Sequence, residues 1–276
     1  MGKYQHLRHT TSQNNEIWTL YINRPKKMNA TAFETFAEIE KFILEEINPV
    51  SSGARVLILT GEGKHFTAGL DMQSVQQLGE LEAEDPARKS IHLNNLVSTL
   101  GRQVSALEIC RVPVIAVVHG FAIGAGVDLS SACDIRICSK DAKFTIKEVD
   151  LGLAADLGTL QRFQKVVGND SWSRELAYTA RFFSAEEALQ HGFVSYVYDT
   201  KEASLEAAMK LAKEIASKSP AAIYTSKKSL IYSRDHSVKE GLNHIALLNG
   251  VMLQTNDPAT AVAARFSNTV AKFPKL

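Results

Sequence analysis

The 276 residues are 45% hydrophobic and 22% charged, which suits one large soluble domain with a substantial buried core. A formal net charge of +1 gives no electrostatic case for nucleic acid or an anionic membrane surface as the main partner. Cys110, Cys133 and Cys138 show no CxxC spacing and the histidines no HExxH pair, which speaks against a disulfide framework and implies no metal.

Met1 to Thr10 lacks the apolar run of a signal peptide, and no stretch approaches the roughly 20 apolar residues of a membrane helix. Glu16 to Ile22 alternates apolar and polar residues and reads as a strand, broken by Asn23-Arg24-Pro25. Thr31 to Ile47 has helical spacing, with Thr31 and Glu34 in the positions of a capping box. Arg55 to Thr60 is a continuous apolar run, as in a strand buried on both faces. From Met72 to Ser90 the chain is polar, and Gly79 and Pro86 argue against one continuous helix.

Ile91 to Ile109 is an amphipathic helix and Val114 to Val118 a second buried strand. A glycine-rich turn then leads into a short helix from about Val127. Ile135 to Cys138 and Lys143 to Ile146 read as short strands, Leu157 to Val167 and Ser171 to Thr179 as helices. Ser184-Ala-Glu-Glu opens a capped helix. After the strand Val194 to Tyr198 the pattern is helical throughout, over Lys201–Ser217, Ala221–Arg234 and Ser237–Leu253. Strands alternating with helices, then helices alone, define an α/β core with a helical extension.

Chemistry concentrates at two similar junctions and three acids. His65-Phe-Thr-Ala-Gly-Leu-Asp71 follows the first buried strand, and His119-Gly-Phe-Ala-Ile-Gly-Ala-Gly-Val-Asp128 the second. Small residues there let another group approach the backbone, and two such loops side by side can aim two N–H groups at one carbonyl oxygen. Gly124-Ala125-Gly126 is no dinucleotide loop, because Leu129 stands where the third glycine belongs. No serine or cysteine has nucleophile-elbow spacing beside His119. Asp128, Glu148 and Asp156 lie downstream. The neighbours of Asp156 are apolar or small, a setting that raises a carboxyl pKa and suits a proton carrier. Asp156 and Asp128 also read as helix N-caps, and spacing leaves both alternatives open.

In order, these segments resemble the crotonase (enoyl-CoA hydratase/isomerase) superfamily. The matching residues are Asn23-Arg24-Pro25 with Asn29-Ala30, Phe66-Thr-Ala-Gly-Leu-Asp71, Pro113 to Gly120, Gly124-Ala-Gly-Val-Asp-Leu129, Ala132-Cys-Asp-Ile-Arg136 and Ser184-Ala-Glu-Glu-Ala188. The resemblance implies a spiral core of ββα units over residues 1–200 and a helical trimerisation region over 201–276. It also implies a homo-oligomer, a trimer or a dimer of trimers. The acyl-CoA thioester oxygen would sit on the N–H groups of Ala68 and Ala125, with Gly69, Leu70, Asp71, Met72 and Gly126 around it. No cofactor is expected beyond the coenzyme A of the substrate.

Hydratases of this superfamily use two glutamates and usually carry glycine in place of Asp156. Asp, Glu and Asp spaced as Asp128, Glu148 and Asp156 resemble instead its dienoyl-CoA isomerase branch, as do Lys147 to Arg162 and Leu230 to Val238. That implies C2 deprotonation by Glu148, C6 protonation by Asp156, and Asp128 orienting or tuning Glu148. Arg24 and Lys27 are expected to meet coenzyme A phosphates. Ala125 departs from the more usual glycine at its position. The ending Pro274-Lys275-Leu276 is similar to a peroxisomal signal read by an import receptor, the alternatives being mitochondrial or cytosolic. The rival functions are a 2-enoyl-CoA hydratase and a non-catalytic acyl-CoA- or RNA-binding member of the superfamily.

Overall fold

The computed structural model describes residues 3–12, 14–79 and 83–276, and the side chains of these apart from residues 77–79. Among the described residues, nine strands form two sheets: β1 (Leu7–Thr11), β2 (Ile17–Ile22), β3 (Val56–Gly61), β4 (Val114–Val118), β5 (Phe121–Ile123), β6 (Ile135–Ser139), β7 (Lys143–Thr145), β8 (Phe183–Ser184) and β9 (Tyr196–Tyr198). The large sheet runs β1-β2-β3-β4-β6-β9, antiparallel only at β1–β2, and the small one runs β5-β7-β8. Every residue of β3 and β4 is buried, as their unbroken apolar runs require.

The helices are α1 (Phe33–Phe42), α2 (Met72–Gly79), α3 (Pro86–Ile109), α4 (Ala125–Ser131), α5 (Thr159–Val167), α6 (Asp170–Thr179), α7 (Ala185–Gln190), α8 (Lys201–Ala216), α9 (Pro220–Ser233), α10 (Val238–Met252) and α11 (Asp257–Phe266). Leu57, Leu59, Ala116 and Val118 point into the main core, where Phe36, Ile39, Val104 and Leu107 of α1 and α3 cover them. The alternate residues Val56, Ile58, Ile115 and Val117 face Ala208 and Ala212 of α8. Thus α8, the first helix of the C-terminal region, lies on the large sheet, and α9 and α10 pack on each other.

Several local expectations change. The polar stretch from Met72 divides into α2 and the start of α3, residues 80–82 lying outside the described residues. Thr31 does not cap α1; its hydroxyl donates to the Gly69 carbonyl (3.1 Å), and the Thr35 hydroxyl accepts the Ala32 N–H. Ser184 caps α7 as its motif implies, accepting the Glu187 N–H at 3.1 Å. Strands β1 and β5 and helix α11 had no distinct signal of their own.

Candidate active site

Both glycine-containing junctions lie at the carboxyl ends of β3 and β4, held side by side by backbone pairing. Thr67 N–H donates to Phe121 O (2.9 Å) and Ile123 N–H to Thr67 O (3.1 Å). Gly69 has φ +91, and a Cβ there would meet the Ile123 carbonyl oxygen at 2.8 Å, so only glycine allows this approach. Asn29, fully buried, secures the first loop by donating to the Glu62 and His65 carbonyls (2.7 Å each).

The amides of these loops correct one expectation. Ala68 N–H donates to Met28 O at 2.9 Å, and Gly69 N–H to the Thr67 hydroxyl at 3.0 Å. Both are spent within the fold. Among the described residues Leu70 N–H has no acceptor, although Asp71 N–H and Thr31 N–H on either side of it are bonded. Ala125 and Gly126, at the start of α4, likewise have N–H groups without acceptors among the described residues, because a helix leaves its first amides free. The pair able to receive a carbonyl oxygen is therefore Leu70 with Ala125, not Ala68 with Ala125. The expected Ala68 amide is excluded by its bond to Met28, a contact that carries no sequence signal.

The three acids are brought together. Glu148 opens a single 3-10 turn, Glu148–Leu151, just after β7. Gly124, at φ +48, lies against it: a Cβ on Gly124 would stand 2.8 Å from Glu148 Oε1. Oε2 of Glu148 is buried without a hydrogen-bond partner. Burial, and then the charges of Asp128 and Asp156, push its pKa up to about 7. Such a carboxyl can take or release a proton near neutrality.

Asp128 is almost wholly enclosed on α4. Its Oδ1 accepts both the N–H (2.7 Å) and the hydroxyl (2.6 Å) of Thr159, the first residue of α5. Burial pushes it up to about 6, while the two Thr159 bonds pull the other way. The cap alternative is thereby settled. Asp128 caps α5 from another element, and Asp156 caps nothing, because the residue before α5 is Gly158 at φ +121. Asp156 instead sits at the rim of the site between buried Ala155 and Leu157. Its side chain reaches solvent in the single chain, yet the protein behind it still raises its pKa by desolvation.

The charged residues of the first loop are differently engaged. Arg24 gives one guanidinium nitrogen to Asp71 (2.8 Å) and another to the Ala30 carbonyl. Lys27 also reaches Asp71, at 3.3 Å, but keeps half its side chain exposed. These bonds hold Asp71 below the usual carboxylate range despite its burial. Arg24 thus fastens the loop and is not a free phosphate ligand, whereas Lys27, which also reaches Gln73 (3.3 Å), holds its partners at the solvent edge. Met72, at the start of α2, is exposed. His119 Nε2 donates to Gly63 O (3.2 Å), and burial pushes its pKa down to about 4, so it is a neutral core side chain. Among the described residues no cluster of His, Cys, Asp and Glu has metal-site geometry. The residues that motif reasoning passed over are Thr159 and Arg162. Both lie in the stretch Lys147 to Arg162, which had been used only for its overall likeness.

The spiral of two sheets, the paired amide loops and the three acids beside them define an acyl-CoA enzyme of the enoyl-CoA hydratase/isomerase family. The chain belongs to that family, whose model matches residues 12–257. It is 46% identical over 98% of its length to the human mitochondrial Delta(3,5)-Delta(2,4)-dienoyl-CoA isomerase, of which it covers 81%. It is 42% identical to the peroxisomal enzyme of the same name from Arabidopsis thaliana, covering 94% of this chain and 93% of that one. Among solved structures, an enoyl-CoA hydratase from Bacillus anthracis superposes with a TM-score of 0.87 at 26% identity, over 98% of this chain and 99% of the other.

Proposed function

We propose that this chain isomerises 3,5-dienoyl-CoA to 2,4-dienoyl-CoA. The thioester oxygen accepts hydrogen bonds from the Leu70 and Ala125 amides, which stabilises the negative charge that develops there. Glu148 removes a proton from C2. The electron pair left on C2 spreads through C4 to C6, and protonated Asp156 delivers its proton to C6. The double bonds move from C3=C4 and C5=C6 to C2=C3 and C4=C5. Asp128 fastens the start of α5 and, through its charge, keeps Glu148 able to exchange a proton near neutral pH. No group beyond the substrate's own coenzyme A enters these steps, and half-exposed Lys27 is the side chain that would meet its phosphates.

The observation that carries this reading is Asp156, a third acid with a raised pKa at a rim position where a hydratase has no use for one. Relatives named as dienoyl-CoA isomerases support it. The test is to offer the purified protein a 3,5-dienoyl-CoA and a 2-enoyl-CoA and follow absorbance. Isomerisation is expected to dominate, and Asp156→Asn to lower its kcat by about 10³-fold with the fold intact, the scale of a lost acid–base group. Rapid hydration with no diene chemistry would instead identify a hydratase.

The same reading extends to assembly and place. Exposed Leu242, Leu247, Val251, Leu253 and Phe266 support a trimer, or a pair of trimers, joined through the C-terminal helices. A peroxisomal address rests on Pro274-Lys275-Leu276. Arg55 donates to the Phe273 carbonyl (3.0 Å) and Leu276 lines a small cleft beside Arg111, so an import receptor would have to lift this segment off the core.

A further inference from the structure

The loop that carries Asp156 has no regular structure of its own between the 3-10 turn at Glu148 and α5, and something must fix it. Beneath it lies Arg162, a buried arginine on the first turn of α5. Its Nε and Nη2 donate to Glu108 Oε2 of α3 (3.1 and 3.0 Å), and Nη2 also donates to the Ser105 hydroxyl (2.6 Å). Nη1 reaches the Leu157 carbonyl (3.4 Å), the residue next to Asp156. The guanidinium fills the place where a Gly158 side chain would be, so the loop closes over it only because residue 158 is glycine. Ser105 in turn donates to the Gly101 carbonyl (2.7 Å), and a Cβ on Gly101 would stand 3.9 Å from the Asp156 carbonyl oxygen.

The charges around Arg162 are few. Glu108 is shared with Arg234, just past α9. Lys165, on the same helix, pairs with Asp235. Asp128 of α4 and Asp156 are the remaining acids on this side. Two arginines on one glutamate leave an excess positive charge behind Asp128, and α5 turns Thr159 toward the same carboxylate.

We propose that Arg162 is a positioning residue for the isomerisation: braced by Glu108 and Ser105, it holds the 155–158 loop so that Asp156 stands at C6. This rests on the proposed function. A fork is needed, because the three nitrogens bond α3, through Glu108 and Ser105, and the Leu157 carbonyl of the loop at once, a planar spread that a lysine's single ammonium cannot reproduce.

The test is Arg162→Lys, which keeps the charge and loses the fork, with two readouts. One is isomerisation of a 3,5-dienoyl-CoA. The other is exchange of the C2 hydrogen of the recovered substrate with deuterated water, which Glu148 alone performs. Isomerisation is expected to fall roughly 10- to 100-fold, the scale of a displaced reacting group, while C2 exchange continues and KM changes by less than about two-fold. A folded Arg162→Lys enzyme that isomerises normally overturns the proposal. So does one in which exchange and isomerisation fall together, since that marks a merely structural role. If Arg162→Lys does not fold, Ser105→Ala removes a single brace; it must show the same split on a smaller scale, and its absence overturns the proposal. A wild-type protein that leaves 3,5-dienoyl-CoA untouched would refute the proposed function itself, a different failure.

Discussion

Glu148 is forced toward neutrality by burial first and by two neighbouring acids second, and this makes a pH prediction with a definite sign. As the base it must be ionised, so kcat/KM for isomerisation should rise as pH rises through about 7. Asp156 must carry its proton, a state that desolvation favours by raising its pKa. Stability runs the other way. A carboxyl whose folded pKa lies above its unfolded one stabilises the fold while it is neutral, and that contribution is lost as pH rises toward the folded value. Glu148→Gln should therefore abolish isomerisation yet raise the thermal midpoint at pH 8, by a margin on the order of 2–3 kcal/mol, with little effect at pH 5. Thermal unfolding at the two pH values checks this. An equal shift at both would mean that the burial of this carboxylate costs nothing. At this scale the sequence disclosed the identity of the acids but not their division of labour. Asp128 and Asp156 each allowed a capping role, and only the Thr159 bonds show that Asp128 caps a helix 31 residues away in the chain.

Elements matter here through the places where they touch. Gly124 joins the end of β5 to the start of α4, its N–H donating to Thr145 O of β7 at 2.9 Å, and Glu148 lies directly over it. Its left-handed backbone costs a substituted residue about 1 kcal/mol, and the added methyl would meet the carboxylate that must face C2. Gly124→Ala should lower kcat by about 10²-fold, the cost of moving a reacting group by about an ångström, with a much smaller loss of stability. Steady-state kinetics beside a melting curve separate the two effects. Ala125, the next residue, needs no such freedom: it starts α4 with its amide free. The substitution of alanine for the commoner glycine is thus compatible with an oxyanion site. The long periodic helices and the buried strands were legible because burial writes itself into composition. Helix α2 was not, since Gly79 marks its end and not a break within a coil. The assignment of the oxyanion amide failed for a related reason, because which N–H is spent depends on a backbone partner forty residues away, Met28 for Ala68.

At the scale of the whole molecule, the core and the C-terminal helices differ in how well their apolar faces are covered. Its α/β core is closed on both faces of the large sheet, by α1 and α3 on one side and α8 on the other. The helices beyond α8 are different: Leu242, Leu247 and Val251 of α10 and Phe266 of α11 are mostly exposed, Phe266 at 89%. Leaving such side chains in water forgoes roughly 1.5–3 kcal/mol for each that a partner could bury. A second copy is the partner that closed symmetry would supply, and the alternation that disclosed the core could not disclose it, because an interface face has the same apolar pattern as a core face. Light scattering should therefore give a mass three or six times the 30.3 kDa of the chain. Leu247 and Val251 are four residues apart and share one face of α10. Replacing both with glutamate should shift the mass toward the single chain while leaving α1 to α8 folded, which circular dichroism would report. A monomeric wild type would show that these helices meet something other than another copy. A double variant that keeps the wild-type mass would place the interface elsewhere on the C-terminal region.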